Sequence, residues 1–222
     1  MSGQIDVYVE SGAKRVFAGA VEWPGWSRSG KTEELALEAL MAYAPRYAKV
    51  MKGFRPAFRI PTELRVVERV WGDATTDFGA PSQTAKADRR PVDAKELAWL
   101  RKVLQAAWAA FDEAAERARG KKLKTGPRGG GRSLAKIVGH VVGAEGGYVR
   151  TIRGKAPEVD ERQAPAMANV ARGVALEALT RAVTEGLPDR GPRGGKIWTP
   201  RYFVRRAAWH VLDHAWEIQD RS

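Results

Sequence analysis

Residues 205–220 read RRAAWHVLDHAWEIQD, a stretch that carries two of the three histidines of the chain, His210 and His214. Apolar and aromatic residues recur in it at intervals of three and four, which predicts an amphipathic helix. Residues four apart on a helix differ by about 40° of rotation and about 6 Å of rise, so both imidazoles lie on one face. That face also carries apolar side chains and is predicted to be buried. Its apolar members are Phe203, Ala207 and Ile218.

Three more segments upstream show the same helical period. The four helices are predicted near residues 93–119, 133–152, 164–186 and 200–219. Asp93 and Ser133 stand where N-cap residues are expected, and Pro200 stands in a first turn, where proline is tolerated. In the third helix the larger apolar residues are predicted to form the buried face: Met167, Val170, Val174, Leu179 and Val183. Four amphipathic helices predict an all-α four-helix bundle.

The N-terminal part has a different pattern. The stretches QIDVYVES and TELRVVERVW alternate apolar and polar residues and predict strands. Between them, GKTEELALEAL predicts a helix that is capped by Thr32 and that Pro45 kinks or ends. The order of strands, helix and strand predicts a small α+β domain over residues 1–75. The polar segment 76–92 is predicted to be a linker, and residues 93–222 form the second domain.

The formal net charge is +12, and part of the excess is concentrated in two glycine-rich stretches, residues 117–132 and 190–196. Both contain the sequence GPRGG and precede a histidine-bearing helix. Glycine-rich backbone beside a helix N-terminus can bind an anion, and it also serves as a plain connector. The charge itself invites a nucleic-acid partner, but charge spread over the surface gives the same total.

Several classes of protein are excluded or disfavoured by composition. The chain has no cysteine, which excludes disulfides, iron–sulfur ligation and a cysteine nucleophile. No apolar run approaches the roughly 18–20 residues of a membrane helix, and the N-terminus lacks the layout of a secretory signal. We therefore expect a cytoplasmic protein without a membrane partner. The Ala-, Arg- and Gly-rich, Lys-poor composition suggests a bacterial source.

The third histidine, His140, lies in SLAKIVGHVVGAEGGYVR, on or beside the inward face of the second predicted helix. Three imidazoles buried close together leave several donors and acceptors unmatched, whereas a divalent metal ion would take one nitrogen from each ring. Helix faces also carry HxxxH pairs by chance, and a single histidine is often a hydrogen-bonded core residue or a surface residue. The pattern alone leaves both interpretations open.

Residues 93–222 resemble the DinB/YfiT-like superfamily of four-helix metalloproteins, on the context of His140 and on the segment WHVLDHAWEIQDR. The resemblance implies the up-down-down-up bundle topology of that family and a metal triad of His140, His210 and His214. It implies a divalent ion (zinc, nickel or iron) with one open coordination position, which in the family is taken to bind water or a low-molecular-weight thiol. The implied activity on a small-molecule substrate is that of a thiol S-transferase, an isomerase or a hydrolase.

Several residues near the predicted triad are candidates for supporting roles. Glu145 and Tyr148 follow His140 on the same helix and are the candidate catalytic residues. Surface charge is the alternative role for Glu145, and core packing is the alternative for Tyr148. Asp213 and Glu217 flank the last histidine, where a carboxylate would orient the ring.

About the first 72 residues resemble HicB-like small domains, on the stretch GAVEWPGWSRSGKTEELALEALMAY, residues 19–43. No DNA-binding helix-turn-helix follows it, so antitoxin activity is not implied. The first functional hypothesis is a metal-dependent transferase or hydrolase. The alternative is a basic nucleic-acid-associated or regulatory module with a structural or vestigial metal site. Trp209 and Trp216 share a face and are predicted to pack on a neighbouring helix or on the partner in a homodimer.

Overall fold

The computed structural model describes residues 3–125, 131–157, 163–191 and 195–222. The chain divides into two compact units. The first comprises Met1–Pro91 and Val204–Trp209, and the second comprises Val92–Phe203 and His210–Ser222. In the ranges that are described, no helix is both long enough and apolar enough to cross a membrane.

The first unit is built on a four-stranded sheet with the strand order β3-β2-β1-β4. The strands are β1 (Gln4–Ser11), β2 (Val16–Ala20), β3 (Ser27–Gly30) and β4 (Glu63–Trp71). Neighbours β1 and β2, and β2 and β3, are antiparallel, whereas β1 and β4 are parallel. Two helices lie between β3 and β4 in sequence. A small sheet with strands and helices therefore precedes the helical C-terminal region, as the sequence predicts.

The helical connection of the first unit follows from its capping and proline residues. Helix α1 (Glu33–Ala42) begins after Thr32, whose side chain accepts a hydrogen bond from the amide of Leu35. Helix α2 (Ala44–Val50) restarts the chain with Pro45 in its first turn, because proline cannot continue the preceding helix. Tyr47 of α2 is buried and donates its hydroxyl to the carbonyl of Pro24 at 2.8 Å.

Strand β1 is buried on both faces, although its sequence alternates apolar and polar residues. Val7, Tyr8, Val9 and Glu10 all have exposed fractions of 1% or less. Because successive residues are buried, its polar-looking face is covered by other parts of the chain as well. On that face the guanidinium of Arg205 lies 5.3 Å from the centre of the Tyr8 ring.

The segment 76–92 differs from its prediction as a linker, because it is packed over much of its length. Helix α3 (Ala74–Phe78) ends in it, and a 3-10 turn follows at Lys86–Arg89. The buried carboxylate of Glu10 accepts hydrogen bonds from the amides of Ser82 and Gln83. The polar residues that suggest an open linker instead bind this buried carboxylate, so the segment is part of the first unit.

The described part of the C-terminal region contains four long helices, each within two residues of its predicted ends. They are α4 (Ala94–Arg117), α5 (Leu134–Thr151), α6 (Ala164–Thr184) and α7 (Pro200–Arg221). The side chains of Asp93 and Ser133 accept the amides of Glu96 and Lys136, as expected of N-cap residues. Polar contacts join α4 to each of the other helices. They are Trp108–Glu145, Arg101–Leu176 and Arg201–Glu96.

The buried face of α6 corrects the sequence-based prediction. Val170 is 51% exposed, and Met167, Val174 and Val183 are only half-buried. An alanine stripe is buried in their place, together with Leu179: Ala164, Ala168, Ala171, Ala175, Ala178 and Ala182. Large apolar residues dominate a prediction from hydropathy, whereas small residues allow a neighbouring helix to approach closely.

Candidate metal centre

The three histidines of the chain lie together in the second unit. His140 is on α5, and His210 and His214 are one turn apart on α7. The ring centres are 5.0 Å apart for His140 and His210, 5.0 Å for His140 and His214, and 4.7 Å for His210 and His214. His210 and His214 are 6% and 8% exposed, and His140 is half-buried. The cluster is thus covered on the α7 side and reaches solvent at His140.

Two nitrogen atoms of these rings have the separation that one metal ion requires, and a nitrogen of the third ring lies close to both. One ligand atom from each histidine can be chosen so that all three lie within 4.8 Å of one another. Nε2 of His210 and Nε2 of His140 are 3.1 Å apart. Two nitrogens bound to one ion at about 2.0–2.1 Å are about 2.9–3.4 Å apart for right-angle to tetrahedral geometry. The three residues therefore fit a divalent metal ion.

A carboxylate fixes the orientation of one imidazole. Nδ1 of His214 donates to Oε2 of Glu217 at 2.7 Å, because a carboxylate can only accept. This bond leaves the Nε2 lone pair of His214 for a metal ion. It also lowers the pKa of Glu217, with Arg221 acting in the same direction. Carboxylates that accept from metal-bound imidazoles commonly have this position.

Arg221 extends this arrangement to the loop before α5. Its guanidinium donates to the other oxygen of Glu217, to the carbonyl of Lys124 at 2.8 Å and to that of Arg132 at 2.9 Å. Lys124 and Arg132 flank residues 126–130, which lie outside the described residues, as do residues 192–194. Within the stretches 117–132 and 190–196, the two GPRGG copies for which anion contacts are predicted fall largely on those residues.

Aromatic side chains lie beside the histidine cluster. The ring of Tyr148 is edge-on to His210, with the ring centres 5.6 Å apart. Trp198 lies 5.2 Å from Tyr148 and 4.9 Å from Tyr202. The backbone amide of Trp198 donates to the carbonyl of Thr151 at 3.0 Å, which holds this part of the α6–α7 connection against the end of α5. The predicted residue Tyr148 is therefore next to the cluster.

Glu145 occupies a different side of α5. Five residues correspond to about 140° of rotation from His140, so the two side chains diverge. The Glu145 carboxylate accepts from the indole of Trp108 on α4, and its Oε2 has no hydrogen-bond partner among the described residues. Burial raises its pKa to about 7, against the opposing effect of Arg172. Glu145 is a buried carboxyl group rather than the surface charge that is its alternative role.

A family model described as the DinB superfamily matches residues 103–218, which is more than half of the chain. The chain belongs to the DinB superfamily. The matched residues include all three histidines and Glu217, and the histidine cluster fits a metal-binding member of the superfamily. No curated protein and no solved structure matches the chain.

Sequence reasoning missed two residues, one next to the histidine cluster and one that binds Glu145. Arg221 was not singled out, although it follows Glu217 by four residues and His214 by seven on the same helix. Spacings of three, four and seven along α7 would indicate a shared face. Trp108 is the second, since nothing in the local sequence indicates that its indole donates to Glu145.

Proposed function

We propose that His140, His210 and His214 bind one divalent metal ion and that the chain is a metal-dependent enzyme acting on a small-molecule substrate. The observation that carries the proposal is the 3.1 Å separation of two imidazole nitrogens with a third histidine beside them. Three neutral imidazoles leave a coordination position for water, a thiol or substrate, which is typical of catalytic sites.

The reaction class that fits such a centre is transfer to or from a thiol, isomerisation or hydrolysis. Zinc, nickel or ferrous iron bound there would lower the pKa of a bound water or low-molecular-weight thiol, and so supply a nucleophile at neutral pH. Because the chain has no cysteine, a thiol must come from a co-substrate. Glu217 holds the His214 ring in the tautomer that presents Nε2.

Tyr148 is the predicted catalytic residue whose ring contacts a histidine, and we propose that its hydroxyl holds or donates a proton at the substrate. The raised pKa of Glu145 lets its carboxyl group hold a proton near neutral pH, which suits a proton carrier. Its interaction partners, however, are Trp108 and Arg172 rather than residues of the histidine cluster. The pH–rate profiles of Tyr148→Phe and Glu145→Gln separate the two. Loss of one limb of the profile in only one variant assigns the proton transfer to that residue.

The metal proposal is tested without an activity assay. All histidines belong to the cluster, so histidine ¹⁵N resonances report on this site alone. Titration with Zn²⁺ is expected to shift the signals of all three rings and to end at one equivalent. His140→Ala is expected to lose that stoichiometric binding, whereas Glu177→Ala, an exposed change on α6, is expected to keep it. Equal metal content in both variants would contradict the proposal.

The HicB-like character of the first unit is also a proposal. Its support is the Pro24-Gly25 turn between β2 and β3, followed by β3 and by a helix capped by Thr32. The net charge of +12 favours a nucleic-acid-associated module as the second candidate function. Binding of a duplex that weakens steeply between 50 and 200 mM salt would support it, since phosphate contacts release counterions.

Light scattering of the purified chain tests the proposed homodimer.

A further inference from the structure

A cavity of about 570 Å³ lies in the second unit, away from the histidines, between α4, α5 and α6. Leu134, Val138 and Val142 form one stripe of α5 along its wall, and Phe111 and Ala168 face them from α4 and α6. Ligand sites for small organic molecules commonly have volumes of about 300–1,000 Å³ and mostly apolar walls. The size and lining of this cavity are therefore those of a ligand site.

The cavity is distinct from the histidine cluster. His140 is two residues from both Val138 and Val142, which corresponds to about 200° of rotation on a helix, so it points to the opposite side of α5. Among the described residues, neither a histidine nor Glu145 or Tyr148 lines the cavity. The proposed enzyme function does not use this space.

The polar end of the cavity contains a buried guanidinium. Arg172 lines the cavity and is only 8% exposed. Its two terminal nitrogens donate to the two oxygens of Asp112 at 2.7 and 2.8 Å. Its Nε has no hydrogen-bond partner among the residues that the structure describes. The guanidinium thus donates hydrogen bonds to one carboxylate and is not saturated, and the Glu145 carboxyl group is a further acidic neighbour.

The carboxylate on Arg172 is itself accessible to water. The side chain of Asp112 is 55% exposed, whereas that of Arg172 is 10% exposed. Asp112 can turn towards solvent because its carboxylate is already largely exposed to water, but a buried guanidinium without an acceptor is strongly unfavourable. A different carboxylate that enters the cavity could therefore take the place of Asp112 on the same planar pair of donors.

We propose that this cavity binds a small amphipathic carboxylate. Its apolar body lies between α4, α5 and α6, and its carboxylate accepts from Arg172 in exchange for that of Asp112. The exchange keeps one anionic group paired with the buried cation, and planar bidentate pairing favours a carboxylate over an alcohol or an amine head group.

Decanoate, decanol and decylamine are suitable probes, because they share one chain length and differ in the head group. Calorimetric titration of the full chain is expected to show one site that binds decanoate at least about tenfold more tightly than the other two. Arg172→Lys, which replaces the fork with a point charge, is expected to reduce this preference. Binding of none of the three, or equal affinity for decanoate and decanol, would overturn the proposal.

Two variants place the probe in the cavity. Val138→Trp fills the apolar wall, and Ala135→Trp narrows the exposed rim and does not disturb the core. Each is expected to weaken decanoate binding more than about tenfold. The matched control is Val170→Trp, on the exposed face of α6. Unchanged affinity in both cavity variants would place the probe elsewhere and overturn the proposal.

The histidine cluster must be excluded as the binding site, since a carboxylate can also bind a metal ion. His140→Ala is expected to leave decanoate affinity unchanged while it removes stoichiometric metal. Loss of decanoate binding in this variant would overturn the cavity proposal and leave the metal proposal intact.

Discussion

Glu217 accepts a hydrogen bond from Nδ1 of His214 at 2.7 Å, and its other carboxylate oxygen accepts one from Arg221. Both partners lie on the same helix, so the hydrogen bond that orients this imidazole is made within α7. The carboxylate fixes the tautomer and raises the basicity of Nε2, which is the atom available to a metal ion.

Glu217→Gln is therefore expected to weaken metal affinity by about tenfold to hundredfold, with the stoichiometry unchanged. Competition with a chromogenic chelator measures the dissociation constant. Asp220→Asn removes an exposed carboxylate three residues further along α7 and is the control. An affinity equal to that of the wild type in Glu217→Gln would show that His214 does not depend on this carboxylate.

Metal binding is expected to stabilise the fold, because the three ligands come from two helices and converge only in the folded chain. At a free metal concentration of 100 times Kd the gain is about 2.7 kcal/mol. The Tm of the wild type is expected to fall when EDTA is added. In His214→Ala the same addition is expected to leave Tm unchanged, and an equal fall in both would point to metal bound elsewhere.

The buried carboxyl of Glu145 is expected to make stability decrease as pH rises. Its pKa in the folded chain is about 7 against an ordinary value of 4.5, so the folded state binds more protons between these values. The loss accumulates from about pH 4.5 to pH 7, is complete above that, and is of order 3 kcal/mol. Its charged neighbours are Arg172, which opposes the shift, and Asp112, which adds to it.

Glu145→Gln is expected to flatten that dependence and to be more stable than the wild type at pH 8. Urea unfolding at pH 5 and pH 8 measures the difference. Glu113→Gln, at an exposed position on α4, is the control and is expected to follow the wild type. A wild type that is equally stable at both pH values would contradict the raised pKa.

The ion pair of Asp88 and Arg205 predicts a large effect of a single substitution. Asp88 is fully buried and accepts from Arg205 at 2.8 Å, and the same guanidinium donates to the carbonyl of Val21. Asp88→Ala leaves a buried charge without its partner and is expected to cost about 3–5 kcal/mol. Asp6→Ala breaks the exposed pair with Arg65 and is expected to cost at most about 1 kcal/mol. Denaturant unfolding compares the two, and similar losses would mean that Arg205 is solvated.

The alanine stripe of α6 predicts which positions tolerate larger side chains. Ala171 is 1% exposed and packs in a small apolar cluster with Val142. Ala171→Leu is expected to lower the free energy of unfolding by about 1–3 kcal/mol through overpacking. Val170→Leu, one residue away on the exposed face, is expected to change it by less than about 0.5 kcal/mol. Equal effects at the two positions would refute the assignment of this buried face.

Local signals account for what the sequence predicts well. Thr32, Asp93 and Ser133 begin helices because each side chain binds an amide of its own first turn. The HxxxH spacing predicts that His210 and His214 share one face of α7, since helix faces follow from residue spacing. The resemblance around His140 predicts that this histidine joins them.

Features that depend on distant partners are the ones that the sequence does not predict. Strand β1 is buried on both faces because distant parts of the chain cover each face, and no residue within it specifies them. The polar residues of segment 76–92 suggest an open linker, yet Ser82 and Gln83 bind Glu10, which is more than 70 residues earlier in the chain. The position of Glu145 against Trp108 depends on how α4 and α5 pack.

Residues 204–209 of α7 belong to the first unit, which contains the sheet. The residues of α7 before and after them belong to the second unit, which contains the histidine cluster. No single cut in the polypeptide therefore yields two self-sufficient pieces. A fragment that starts at Val92 would contain Arg205 without its partner Asp88. A fragment that stops at Pro91 would contain Asp88 without Arg205. After gene fusion, exchange of segments between relatives or limited proteolysis, the two units are consequently expected either both to stay folded or both to unfold.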